Sequence, residues 1–172
     1  MGQIIRLPVP PAAFPDSCAR LDTAECVALL AMRWWVAVCR LNEDPMPRIA
    51  QGLARAGAGK AAYSIDTLMA VIARSARRRL SIHRPRCPAV SSDEQHLLHA
   101  ASLVQHGDSA LAEKVLRTAL ISAQGAEFAL GPLHGVATLF AQARLHFRRR
   151  PAPTACDPAQ PWPPGLFQDM AH

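Results

Sequence analysis

The sequence predicts an all-α fold, a single compact bundle of five to six helices between Pro-rich ends. Three observations predict it. Apolar residues recur at intervals of three and four, capping signals stand in front of those runs, and the apolar/polar alternation of a half-buried strand persists nowhere. The chain has 172 residues, of which 50% are hydrophobic, enough to enclose one core. With only 5% aromatics, that core should be built from small and aliphatic side chains, which suit close helix packing.

Residues 1–21 are Pro-rich and expected to be irregular. Asp22, followed three positions later by Glu25, forms a capping box that should open the first helix. Residues 24–41 are apolar nearly all round. Arg33 and Arg40 lie seven apart on one narrow stripe, the pattern of a central helix. Pro45 and Pro47 end that run, and 48–56 should form a short helix with Ile49 and Leu53 on one side, closed by Gly57 and Gly59.

Ser64 is expected to cap a third helix reaching Arg79, with Ile65, Leu68, Met69, Ile72 and Ala76 inward and Arg74, Arg77 and Arg78 outward. Two prolines make 81–90 a loop. Ser91 and Glu94 form a second capping box for a helix ending at His106-Gly107, and Asp108 caps the next. The inner face of that helix should be Leu111, Val115, Leu116 and Ala119, with Glu113 and Arg117 paired outside. Gly131-Pro132 reads as the start of a last helix running to about Phe147 and burying Leu133, Val136, Phe140 and Phe147. The helical domain thus spans 22–150. Residues 151–172 form a Pro-rich tail, in which Trp162, Phe167 and the Pro158/Pro161 spacing offer a peptide-docking motif. Neither end has a periodic apolar face, so both are expected to be dispensable for stability.

No membrane span is expected, because 26–39 is short and carries Arg33, and 119–141 contains Gln124, Glu127 and His134. The first residues lack a secretory signal, and the five cysteines, Cys18, Cys26, Cys39, Cys87 and Cys156, show no regular pairing, so a cytoplasmic location with reduced thiols is expected. Enzyme signatures fail on inspection. Gly59-Lys60 lacks both the upstream Gly of a phosphate loop and the Ser or Thr after its Lys, and GxGxxG, GxSxG and HExxH are missing.

Charge is the most informative feature. Residues 67–92 hold no acidic residue and six arginines, so that segment carries the whole net charge of +6, and the remainder balances at 13 basic against 13 acidic residues. Arg74, Arg77, Arg78, Arg84 and Arg86 are therefore the candidate anion- or nucleic-acid-binding residues, and Arg79, on the apolar side, should either snorkel or mark fraying of the helix end. The competing reading is a solvated helix end, where cations are favoured by the dipole. His83, Cys87, His96 and His99 are the candidate metal ligands, since imidazole and thiolate suit zinc and His96 and His99 lie one turn apart. A wetted helix face shared by Gln95, His99, Ser102 and His106 explains the same residues without metal. Cys87, beside His83, Arg84 and Arg86, is the most reactive thiol expected.

With no catalytic constellation in view, the first expectation is a non-enzymatic protein-interaction or regulatory module with a protein partner. Nucleic-acid binding through the basic helix face comes second, and a thiol- or zinc-dependent sensor third. No cofactor other than zinc is expected.

Overall fold

The computed structural model describes residues 14–153. Among these, six α-helices follow one another: α1 (Thr23–Cys39), α2 (Met46–Arg55), α3 (Ala62–Ser75), α4 (Ser92–Gln105), α5 (Ser109–Ala119) and α6 (Ala123–Gln142). The described residues contain no strand, only two isolated antiparallel bridges. None of these helices is long and apolar enough to cross a membrane. The PxxP motif, Cys156, Trp162, Phe167 and the first 13 residues lie outside the described residues.

Two helix starts follow directly from local chemistry. The Glu25 carboxylate accepts the Asp22 N–H at 2.8 Å, and in α4 Ser91 and Glu94 exchange both capping bonds, at 3.2 and 2.9 Å. Gly107, at φ +89°, turns the chain between α4 and α5 in a conformation a side chain would resist.

α3 and α6 form the most extensive helix pair, and they run in opposite directions. A Cβ on Gly125 would fall 2.3 Å from Ser75, and one on Gly135 would fall 2.4 Å from Ser64 Oγ. These two glycines are what permit the backbones to approach. Around the pair, a single core gathers Leu29, Met32, Ile65, Leu68, Ile72, Leu97, Leu98, Leu116, Leu133, Val136 and Phe140. α4 packs on both α5 and α6, and α1 packs against α2, α3 and α4.

The structure corrects several expectations. α3 starts at Ala62, after a 3₁₀ turn over Gly59–Ala61, and Ser64 is not its cap but the residue facing Gly135. It stops at Ser75 rather than Arg79, because the backbone there finds partners elsewhere. The Ser122 N–H donates to the Ser75 carbonyl at 2.9 Å, the Arg77 N–H donates to the Leu120 carbonyl at 3.2 Å, and Ala76 bridges Ile121. Tertiary backbone pairing replaces the next helical turn.

Gly131-Pro132 starts nothing. α6 begins at Ala123, where Ser122 Oγ accepts the Gly125 N–H at 3.1 Å, and it runs through Pro132 without a break. The missing N–H orphans the carbonyl four residues earlier, at Phe128, an exposed position where water can replace the lost partner. In α5 the buried positions are Ala112 and Leu116; Leu111 is exposed, and Val115 and Ala119 are only partly covered.

The segments flanking the helices are also more ordered than expected. Residues 14–21 carry a 3₁₀ turn at Cys18–Arg20 and pair with the 81–90 loop through Cys18 N–H to the Pro88 carbonyl (2.7 Å) and Val90 N–H to the Asp16 carbonyl (2.8 Å). After α6, Arg144 at φ +59° turns the chain back, and Gln105 holds the return by bonding the Ala137 and Leu145 carbonyls and accepting the Phe147 N–H at 2.7 Å. Phe147 lies outside any helix, buried, with its ring stacked on Phe140 at 5.4 Å.

Candidate functional site

α1 organises the chemistry of the molecule because its sides do different work. One side carries buried charge. Arg33 is 2% exposed and meets Glu94, 0% exposed, through Nε–Oε1 at 2.7 Å and Nη2–Oε2 at 2.8 Å. The rest of the guanidinium donates to the Cys87 carbonyl at 2.6 Å and the Ala89 carbonyl at 2.5 Å, so α1 holds the 81–90 loop in place. Glu94 is shared still further, accepting the backbone N–H groups of Ser91 and His83, each at 2.9 Å. Burial pushes its carboxyl up, but the hydrogen bonds from Arg33, Ser91 and His83 outweigh that and hold it below the usual glutamate value.

Eight residues earlier on α1, Glu25 is likewise buried and is clasped by Arg150 through bonds of 2.6 and 2.7 Å. The adjacent arginines at 149 and 150 therefore have different surroundings. Arg150 is inside, below Phe14, whereas Arg149 pairs with Asp108 at 2.5 Å near the surface.

The basic segment is divided. Arg74, Arg84 and Arg86 are exposed, as expected of a binding face. Arg77 and Arg78 are exposed too but have left the helix: Arg77 donates to the Thr118 carbonyl at 2.7 Å and Arg78 to the Ala119 carbonyl at 3.2 Å, both at the C-terminus of α5. Arg78 also grips the buried Asp93 at 2.5 and 2.8 Å, while Asp93 accepts the Ser81 N–H at 2.7 Å. The helix end that these cations serve is thus α5, a partner that sequence spacing does not reveal. Arg79 is exposed beyond the end of α3 rather than snorkelling from its apolar side.

His83, Cys87, His96 and His99 do not converge. The His83 ring lies by the Ala89 carbonyl and Glu94, and Cys87 uses its carbonyl on Arg33. His96 Nδ1 sits 2.7 Å from the Ser92 carbonyl of its own helix. Among the described residues, no group of three or more His, Cys, Asp or Glu side chains is placed to hold a metal ion.

His99 is the sharpest departure from expectation. Instead of facing water it is buried, edge-on to Phe14 with ring centroids 5.7 Å apart, and its Nδ1 has no hydrogen-bond partner. Desolvation first, and the neighbouring His96 second, push its pKa below that of an ordinary histidine. The neutral form is the one that folds, so its contribution is complete above about pH 6.5, the unfolded value, and is lost as the pH falls below it. A cavity of about 270 Å³ bordered by His99 and Leu103 gives the proton a route. Melting temperature is expected to drop between pH 6.5 and 5, and His99→Leu to flatten that drop; an unchanged slope would refute the assignment.

Another side of α1 is apolar and only partly covered. Val27, Leu30, Trp34 and Ala37, with Leu41 in the turn that follows, fall within about 80° of arc at 100° per residue. Leu30 is 44% and Leu41 68% exposed, and Trp34 is partly covered by the Arg48 guanidinium, 3.9 Å above its ring. Trp35, next along, is anchored inward by its Nε1–H to Asp66 at 2.7 Å. The sequence pattern, apolar nearly all round, predicts a central helix and does not mark this stripe. Comparison with protein-family models, curated proteins and solved structures finds no match for this chain.

Proposed function

We propose that the protein is a non-enzymatic docking module that binds an amphipathic segment of a partner protein along α1. The observation that carries this reading is the line Val27, Leu30, Trp34, Ala37 and Leu41, apolar and at helical spacing, with Leu30 and Leu41 exposed and the other three only partly covered. Its length, four turns, suits a helix laid alongside, and Trp34 under Arg48 supplies the large flat anchor that interface centres favour. The buried ion pairs on the other side of α1 hold the helix rigid, which lowers the entropic cost of binding.

A second reading keeps the exposed Arg74, Arg84 and Arg86 as a phosphate-binding edge for nucleic acid. One experiment separates the two. With a photo-crosslinking residue at position 30 and a control at the exposed Phe128, the docking reading expects one defined partner crosslinked from position 30 alone in the native cell. Leu30→Glu with Leu41→Glu should abolish that crosslink while leaving the far-UV spectrum unchanged. Crosslinks equal at both positions, or lost instead on replacing Arg74, Arg84 and Arg86 by Gln, would overturn it in favour of the basic edge.

A further inference from the structure

Three of the four described cysteines gather at the N-terminal half of α1, at the edge where residues 14–21 pair with the 81–90 loop. The 3₁₀ turn at Cys18–Arg20 folds the chain back so that Cys18 lies over the helix. There the Arg33 Nη1–H donates to Cys18 Sγ at 3.5 Å, and the same sulfur lies 3.5 Å from the Cys87 carbonyl. Cys26 is seven residues before Arg33, hence on the same side of α1, and its Sγ lies 3.7 Å from the carbonyl of Cys18 itself. Cys39 is at the far end of the helix, about 20 Å from Cys26 at 1.5 Å per residue.

We infer that Cys18 and Cys26 form a reversible redox pair, in which Cys18 is the thiol oxidised by a hydroperoxide and Cys26 the thiol that resolves it. The Arg33 guanidinium places a fixed N–H donor and a positive charge at the Cys18 sulfur. Cys26 has the opposite surroundings. Burial first, then Cys18, Glu25 and Asp22, raise its pKa, so it waits as a thiol while Cys18 reacts.

The steps balance. The Cys18 sulfur gives up its proton and attacks the distal oxygen of the hydroperoxide, the O–O bond breaks, and the alkoxide or hydroxide released takes up that proton; Cys18 becomes a sulfenic acid. The Cys26 thiolate then attacks the Cys18 sulfur, the S–S bond forms, and hydroxide leaves to be protonated as water. Overall two thiols lose two electrons and two protons, and one peroxide is reduced.

The test uses the full chain, fully reduced and then exposed to hydrogen peroxide, with the remaining thiols blocked by N-ethylmaleimide and tryptic peptides mapped by mass. Cleavage at Arg20 places Cys18 and Cys26 on separate peptides, so the bond is read as one linked species. The expected result is a Cys18–Cys26 link that dithiothreitol reverses, with Cys18 consumed at least about tenfold faster than Cys39. Cys26→Ser should leave a sulfenic acid on Cys18 that dimedone traps, and Cys18→Ser should abolish peroxide consumption by Cys26. A bond from Cys18 to Cys87 or to any other cysteine, or equal oxidation of Cys18 and Cys39, would overturn the inference. Because the mapping is made on the unmodified protein, it does not depend on either variant folding.

Discussion

Arg33→Met is expected to lower the stability of the fold by about 3–5 kcal/mol, since it leaves the fully buried Glu94 carboxylate without its cation. The loss should appear as a fall in the urea midpoint at unchanged m-value. Glu94→Gln should cost a comparable amount for the reciprocal reason, and it also weakens the α4 cap. The double variant should be less damaged than the sum of the two by roughly 1–3 kcal/mol, because once one charge is gone the other has no partner left to lose. The pH response follows from the lowered Glu94 pKa. Its stabilising contribution is present above the unfolded value of about 4.3 and is lost as the pH falls below it, so acid sensitivity should diminish in Glu94→Gln. Strict additivity of the two single variants would show that the pair is not the coupled unit that the geometry describes.

Arg150→Ala is expected to cost about as much, roughly 3–5 kcal/mol, by stranding Glu25 in the interior. A matched pair of truncations sharpens the point. A chain ending at Pro153 keeps the clasp on Glu25, whereas one ending at Arg149 loses it and should unfold at a markedly lower urea concentration. Equal midpoints for the two would refute the role assigned to Arg150. The Arg33 and Arg150 effects should add within about 0.5 kcal/mol, since the two pairs lie two helical turns apart and share no partner.

Where the determinants are local, the sequence was legible. The capping boxes at Asp22 and Ser91, the Gly107 turn, the 81–90 loop and the inward residues Ile65, Leu68, Met69 and Ile72 are all where residues three or four apart put them. The misreadings share one cause, a partner distant in the chain. Gly131-Pro132 reads as a helix start, but α6 already begins at Ala123, is held to α3 through Gly125 and Gly135, and continues through the proline. Arg77 and Arg78 look like the outer face of their own helix, yet they serve the carbonyls of α5, some forty residues on. His99 sits at a polar helical position but is roofed by Phe14. Of the candidate site, the concentration of charge was visible and its division was not. The α1 stripe was hidden because an all-round apolar helix gives no periodic sign of which side the fold leaves only partly covered. Arg33, an isolated charge in such a helix, was the available clue that a buried carboxylate had to exist elsewhere.

The clasp between Arg150 and Glu25 joins residues 125 positions apart, close to the two limits of the helical domain. During synthesis, α1 emerges early with a carboxylate aimed at an interior that has no cation to offer it. Glu94 relieves Arg33 only once three helices have been made and the fourth has begun, and Glu25 waits for the stretch that follows the sixth. The nascent chain therefore cannot seat its first helix in final form, and the partly covered apolar side of α1 is accompanied for most of translation by a second, temporarily unsatisfied one. For this molecule, the interval between making the first helix and locking it is the synthesis of more than a hundred residues, and it is the period in which α1 is most open to other chains.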